Sequence, residues 1–230
     1  MHIITTAWDS LRYGGAMVYP LVVLGVIALA IILDRAVAYF RCLRLPGRLA
    51  NLVETYGFSW EELEDQLERL GPTNAYGRFL KVIADNRSEP AWWVESRAGD
   101  EAGLIEKVLN RGLWLLETIV TAAPLMGLLG TITGMMAAFD VIGSSGLVAP
   151  HEVTAGVAQA LIATALGLFI ALIALFGFNF FSRMQSHALD RMERLGSRLV
   201  DHIRLDQENG EAHAGGAVSR LAPEEARSPR

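Results

Sequence analysis

The chain holds one cysteine, Cys42, among its 230 residues, so no internal disulfide can brace it. Charge is missing from three long stretches: Ala16–Leu33, Thr118–Phe139 and Val153–Ser182 carry no Asp, Glu, Lys or Arg. Histidine is absent from them as well, since His2, His151, His187, His202 and His213 all lie outside and are scattered. No Cys/His nucleophile pair, phosphate-cradling loop or metal-ligand cluster is present, so neither an enzyme nor a cofactor, metal or nucleic-acid site is expected. The opening "MHIITTAWDSLRYGG" has no basic n-region, and the first apolar run ends without a small-residue cleavage site, so it reads as a retained anchor and not a cleaved leader.

What is abundant is apolar side chain, 52% of residues with a mean hydropathy of +0.31. Each uncharged stretch is long enough to cross a hydrocarbon core, which takes roughly 20 helical residues. The expectation is an all-α membrane protein of three transmembrane helices with long cytoplasmic helical extensions, oligomerising around a central pore. Positive charge at span ends sets orientation. Arg35, Arg41, Arg44 and Arg48 follow the first span, Arg183, Arg191, Arg194 and Arg198 follow the third, and "DVIGSSGLVAPHE" between spans two and three has no Lys or Arg. The N-terminus is therefore placed outside and the C-terminus in the cytoplasm. The boundaries are an interfacial helix at 1–15, spans at 16–34, 113–142 and 153–182, a cytoplasmic helical segment at 35–112, an outer link at 143–152, a cytoplasmic helix at 183–206 and a disordered tail at 207–230.

The cytoplasmic segment reads as helical. In "SWEELEDQLERLGP", Ser59 and Glu62 are spaced as a capping box, Leu63, Leu67 and Leu70 follow at helical spacing, and Gly71-Pro72 forms the stop. "TNAYGRFLKVIADN" repeats the scheme with Tyr76, Phe79, Leu80 and Ile83. A third helix is expected from near Glu101 directly into span two as one rod, because no Pro or Gly-Pro break intervenes. Span three continues into "RMQSHALDRMERLGSRLVDHIRL", where Met184, Leu189, Met192, Leu195, Leu199 and Ile203 mark one stripe.

Spans two and three each carry a stripe of small residues. Gly156, Ala160, Ala163, Gly167, Ala171 and Ala174 recur at helical steps on span three, and Ala123, Gly127, Thr131, Gly134 and Ala138 do so on span two. Thr131 lies within its stripe, while Gln159 and Thr164 flank theirs. Lipid offers no hydrophobic drive between helices, so small residues that permit close backbone approach mark protein contact. Two arrangements accommodate this. Either the stripes bury against each other within one three-helix unit, or they line a central passage in an oligomer. The second is favoured on the ground that three helices alone can hardly use up both stripes. Thr131, Thr164 and Gln159 are then pore-lining, and Gly127, Gly134, Ala160, Ala163 and Gly167 are helix-packing. Asp140 is a candidate for outer ion entry, whereas Asp34 and Glu117 read as boundary charges. A proton or ion relay needs an ionisable group in the membrane, and none is present, so that group has to come from a second subunit.

The motifs "APLMGLLGTITGMMAAF" and "VAQALIATALGLFIALIA" resemble those of the ExbB/TolQ proteins, in the wider MotA/TolQ/ExbB proton channel family. The three-span layout is similar too, over Met1 to about Leu205, and "GGAMVYPLVVLGVIALAIILDR" looks like the opening of the shorter ExbB type. The resemblance implies a homopentamer in the bacterial inner membrane whose second and third spans line a pore. It further implies an ExbD/TolR-like single-span partner supplying the membrane aspartate, and a TonB-like protein that receives the work. By motif, Thr131 of "GLLGT" and Thr164 of "ALIAT" match the family's pore-lining threonines. Gln159 stands where the family usually has glutamate, and an amide cannot titrate near neutral pH. The alternatives are a TolQ-like envelope motor subunit and a non-conducting oligomeric membrane scaffold.

Overall fold

The computed structural model describes residues 15–43, 47–54, 58–71, 73–145 and 150–220, and every regular element among them is a helix. In chain order these are α1 (Val18–Cys42), α2 (Gly47–Glu54), α3 (Trp60–Leu70), α4 (Ala75–Asp85), α5 (Ala91–Leu109), α6 (Leu113–Ser145) and α7 (Pro150–Arg220). The interfacial helix expected at 1–15 lies almost wholly outside the described residues, as does the centre of the 143–152 link. Three helices, α1, α6 and α7, are long and apolar enough to cross a membrane. The chain divides into two compact units: residues 1–39 with 109–186, and residues 40–108 with 187–230.

In the first unit α1 is attached by one edge. Val18, Leu21, Ala28, Arg35 and Tyr39 are buried, and with Gly25 and Ile32 they make alternating steps of three and four, the spacing of a left-handed helix pair. Gly25 lies against Ile170 and Gly177 against Ile32, each a glycine facing a branched side chain. Pro20 falls in the first turn of α1, where its missing N–H would have had no intrahelical partner anyway. At the far end the Tyr39 hydroxyl donates to the Leu109 carbonyl at 3.3 Å, and its ring meets that of Phe181 at 5.2 Å.

The single rod expected from Glu101 into span two is not what forms. α5 begins ten residues earlier, at Ala91, directly behind Pro90, whose carbonyl accepts from Trp93 N–H at 2.9 Å and Val94 N–H at 3.2 Å. It ends at Leu109, and α6 restarts at Leu113. Gly112 sits between them at φ +82°, a left-handed conformation that ends a helix at little cost only in glycine. The sequence cue was a lone glycine behind an asparagine, without the proline taken as necessary for a break. α7 departs in the other direction: it runs to Arg220, past the end expected near residue 206, with no proline between Pro150 and Pro223 to stop it. Residues 221–230 lie outside the described residues.

The second unit buries most of the stripes read from sequence, although Leu70 and Leu189 are only half-buried, as is Met184 at the end of the first unit. Leu63 and Leu67 of α3, Tyr76, Phe79, Leu80 and Ile83 of α4, and Met192, Leu195, Leu199 and Ile203 of α7 are all buried. Phe79 packs on the bare backbone of Gly196, where a methyl would lie 2.8 Å from the ring. α3 lacks the capping box: Ser59 stands at its N-cap but makes no side-chain cap bond. α4 is capped by Asn74, whose side-chain oxygen accepts from Gly77 N–H at 3.1 Å. Burial pushes the Tyr76 phenol above its ordinary 10.0, partly offset by the Arg191 and Arg194 guanidiniums.

Two outcomes follow for stability. Asn74→Ala lowers stability by about 1 kcal/mol, the usual worth of such a cap, whereas Ser59→Ala changes it by less than about 0.5 kcal/mol; thermal unfolding in detergent followed by circular dichroism distinguishes them. Because the Tyr76 phenol is harder to ionise folded than unfolded, the unfolded state loses its proton first as pH rises through 10.0, so stability falls in that range. Tyr76→Phe removes this part of the alkaline slope, and an unchanged slope would contradict the assignment.

Candidate functional site

The two small-residue stripes face each other across α6 and α7 of the same chain. A methyl built on Gly127 would lie 3.1 Å from both the Ala163 carbonyl oxygen and the Thr164 Cα. One on Gly167 would lie 2.5 Å from the Ala123 carbonyl oxygen and 3.1 Å from the Gly127 Cα. Towards the other end of the pair, Gly134 meets Ala160 and the Gly156 carbonyl, and a methyl on Gly156 would lie 2.8 Å from that of Ala138. Gly130 is closed by Ala163 and by Met17, just ahead of α1. The sequence reading that turned the stripes towards a central passage is thereby corrected. Two helices suffice to use up both stripes, because glycine opposite alanine lets backbone touch backbone along the whole crossing.

That close approach sets the hydroxyls. Thr164 on α7 donates to the Gly127 carbonyl on α6 at 3.0 Å. Thr131 on α6 donates to the Leu128 carbonyl of its own helix at 2.6 Å. The two side chains thus address consecutive carbonyls of one turn of α6, and each is only half-buried. A hydroxyl whose proton is held by a backbone carbonyl keeps lone pairs with which to accept. The pair therefore presents acceptors, not donors, to whatever lies beside it.

Gln159 is elsewhere. Its amide lies against the backbone of Gly15, which has φ +72°, and it too is half-buried. Asp140, near the end of α6, is exposed, as is Glu117 near its start. Asp34 pairs with the buried Arg35 at 2.6 Å. Among the described residues no three His, Cys, Asp or Glu gather as a metal site. Further hydroxyls on α6 turn back to their own helix: Thr118 to Trp114, Thr121 to Thr118, and Thr133 to Leu129 and Gly130. Sequence reasoning missed the Thr164–Gly127 bond and the Gly15–Gln159 contact. A helical plot of one segment shows which residues share a face but not which backbone atom they meet on another segment. The unused signal was the GLLGT glycine pair, Gly127 and Gly130, on a helix whose facing partner was also small.

The packing makes a graded prediction. Gly167→Ala forces a methyl onto a backbone carbonyl and should cost about 1–3 kcal/mol. Gly134→Ala, whose tightest contacts are 3.1 Å, should cost less. Unfolding midpoints of the detergent-solubilised variants test the order, and equal stability of Gly167→Ala and the parent chain would contradict the geometry.

Comparison with known proteins bears on what such a helix pair is for. The description of the MotA/TolQ/ExbB proton channel family matches residues 74–194, a stretch that takes in both threonines. The ExbB-like 1 protein of Synechocystis sp. is 31% identical over 207 residues, covering 83% of this chain and 76% of that protein. The biopolymer transport protein ExbB of Xanthomonas campestris pv. campestris is 41% identical over 93 residues, covering 40% of this chain and 37% of that one. ExbB of Aquifex aeolicus is 42% identical over 79 residues, 34% of this chain and 53% of its own length. A chain whose described residues are all-helical and include three membrane-length helices, matched over more than half its length by one family and over most of it by a relative, belongs to the MotA/TolQ/ExbB proton channel family as an ExbB-type protein.

Proposed function

We propose that the chain is the channel subunit of an inner-membrane proton motor, turning proton-motive force into work for TonB-dependent transport across the outer membrane. The observation that carries this reading is the pair of half-exposed hydroxyls, Thr131 and Thr164, addressed to consecutive carbonyls of α6. Five copies surround a pore to which the flanks of the α6/α7 pair, with Thr131, Thr164 and Gln159, contribute lining. An ExbD/TolR-like single-span protein sits in that pore and brings the membrane aspartate. The N-terminus faces the periplasm and the C-terminus the cytoplasm, as the arginine-rich flanks of the first and third spans favour. No covalent chemistry and no cofactor are assigned to the chain.

The mechanism follows from hydrogen-bond inventory. With their protons held by carbonyls, the hydroxyls accept. They favour the neutral carboxylic acid of the partner, which has an O–H to give, over the carboxylate, which has none. An isolated carboxylate in a pore of low dielectric is costly. An acceptor ring therefore lets the acid carry its proton between the two waters without passing through a bare charge. Gln159 keeps hydrogen-bonding capacity while leaving the partner aspartate as the sole titrating carrier. Asp140, exposed near the end of α6, stands at the outer entry.

Thr164→Val keeps the shape and removes the hydroxyl. The complex should still assemble, while proton-dependent uptake or proton flux in reconstituted vesicles falls at least about tenfold, a loss of some 1.4 kcal/mol in the limiting step. Thr164→Ser should keep most of the activity. A Val variant with full activity refutes the role, and an assembled complex that never passes protons would favour the scaffold reading instead.

A further inference from the structure

The second unit carries a groove that the described residues leave open. It lies between α5 and α7, encloses about 490 Å³, and has Phe79 and Gly196 at its floor. Two of its wall residues, Gly99 and Gly103, sit one turn apart in the interior of α5, where a methyl on either would meet nothing within 4 Å. A glycine inside a helix weakens it relative to alanine, and nothing among the described residues makes use of the space. The rim is acidic. Arg204 is the one cation among the lining residues, and it is already paired with Glu95 at 3.1 Å and Asp201 at 3.5 Å. Glu106, Asp190 and Glu193 line the same groove and form no ion pair among the described residues.

The complement is on the same helix. Arg191, Arg194 and Arg198 follow one another at steps of three and four along α7. All are exposed, and none forms an ion pair among the described residues. At about 100° per residue they occupy the sector of α7 next to the acidic one, on the side where Arg191 and Arg194 act on Tyr76 of α4. One chain thus offers a basic ridge on α7 and, beside it, a groove in which Glu106, Asp190 and Glu193 form no ion pair among the described residues.

We propose that the groove is the seat of the arginine ridge of a second copy of this chain. Guanidinium groups pair with carboxylates through two parallel hydrogen bonds, and arginine stems can lie along apolar surface such as the bare glycine backbone of α5. Ridge and groove are different patches, so the contact is heterologous. Copies then add head to tail, the mode of addition that builds the ring of the oligomeric reading when the rotation between copies closes, whereas a two-fold pair would have to use one patch twice. The inference rests on the oligomeric reading above and supplies the contact that joins its copies.

The test is a charge exchange, read as the mass of the detergent-extracted complex. The unaltered chain should run as an oligomer. Arg191→Glu with Arg194→Glu, and separately Glu106→Arg with Glu193→Arg, should each raise the concentration for half-assembly at least about tenfold. All four changes together should restore assembly, because every copy then carries both exchanged faces. A second measurement does not depend on the charge variants folding: in a Cys42→Ser background, Gly103→Cys with Arg198→Cys should oxidise to a ladder of multiples of 25.1 kDa. An unaltered chain that runs as a monomer overturns the oligomeric reading itself. An oligomer that ignores the charge reversals, an exchange that fails to restore folded variants, or an absent ladder overturns this interface alone.

Discussion

Backbone-to-backbone contact between α6 and α7 is the constraint on which the rest of the first unit depends. In lipid, apolar side chains gain nothing by leaving one hydrocarbon surface for another, so helices associate by close packing and by hydrogen bonds between them. Gly127, Gly134, Gly156 and Gly167 let the two helices approach until Cα and carbonyl atoms are in contact. Only at that separation can a side chain as short as threonine reach across, as Thr164 does to Gly127. The small residues and the hydroxyls are therefore one feature and not two. The glycines are the reason that the hydroxyl finds a carbonyl on the neighbouring helix.

Much of this was legible in the sequence, and the parts that were not share a cause. Helical periodicity marks the face that a segment buries, so the stripes of α3, α4 and α7 and the three membrane-length helices could be read directly. Periodicity does not say what lies opposite. The stripes of spans two and three are therefore equally compatible with a passage and with each other, and in the structure they close on each other. Interruptions were misjudged for a related reason. Gly112 ends a helix by adopting φ +82°, a property of its backbone that no side-chain pattern reports, while a capping motif such as Ser59 with Glu62 can have the right spacing and still leave the cap bond unmade.

The two units are stabilised by different means. The first is held by close, mostly uncharged contacts, with Arg35 and Asp34 as an ion pair at one end of α1. The second combines a conventional apolar core with ion pairs between distant segments, such as Arg87 with Glu64 and Arg78 with Glu101. Trp60 links its ends: its indole N–H donates to Asp206 at 3.0 Å, and Arg87 stands over its ring at 5.6 Å. Exposed pairs of this kind each contribute little, typically under about 1 kcal/mol. The buried core sets which helix neighbours which, and that arrangement decides where the unpaired charges of α5 and α7 are displayed.

The one-edged attachment of α1 has a consequence for how its sequence can drift. Roughly two residues in seven form the attached edge, whereas Val23, Val26, Leu29, Leu33 and Val37 are exposed. For those positions the only requirement is solubility in oil, which Val, Leu, Ile and Phe meet about equally. Homologous chains should therefore scatter freely over the exposed face of this helix while holding to a sparse register of fixed letters. A comparison by overall identity would underrate its kinship, and a comparison of that register alone would recover it.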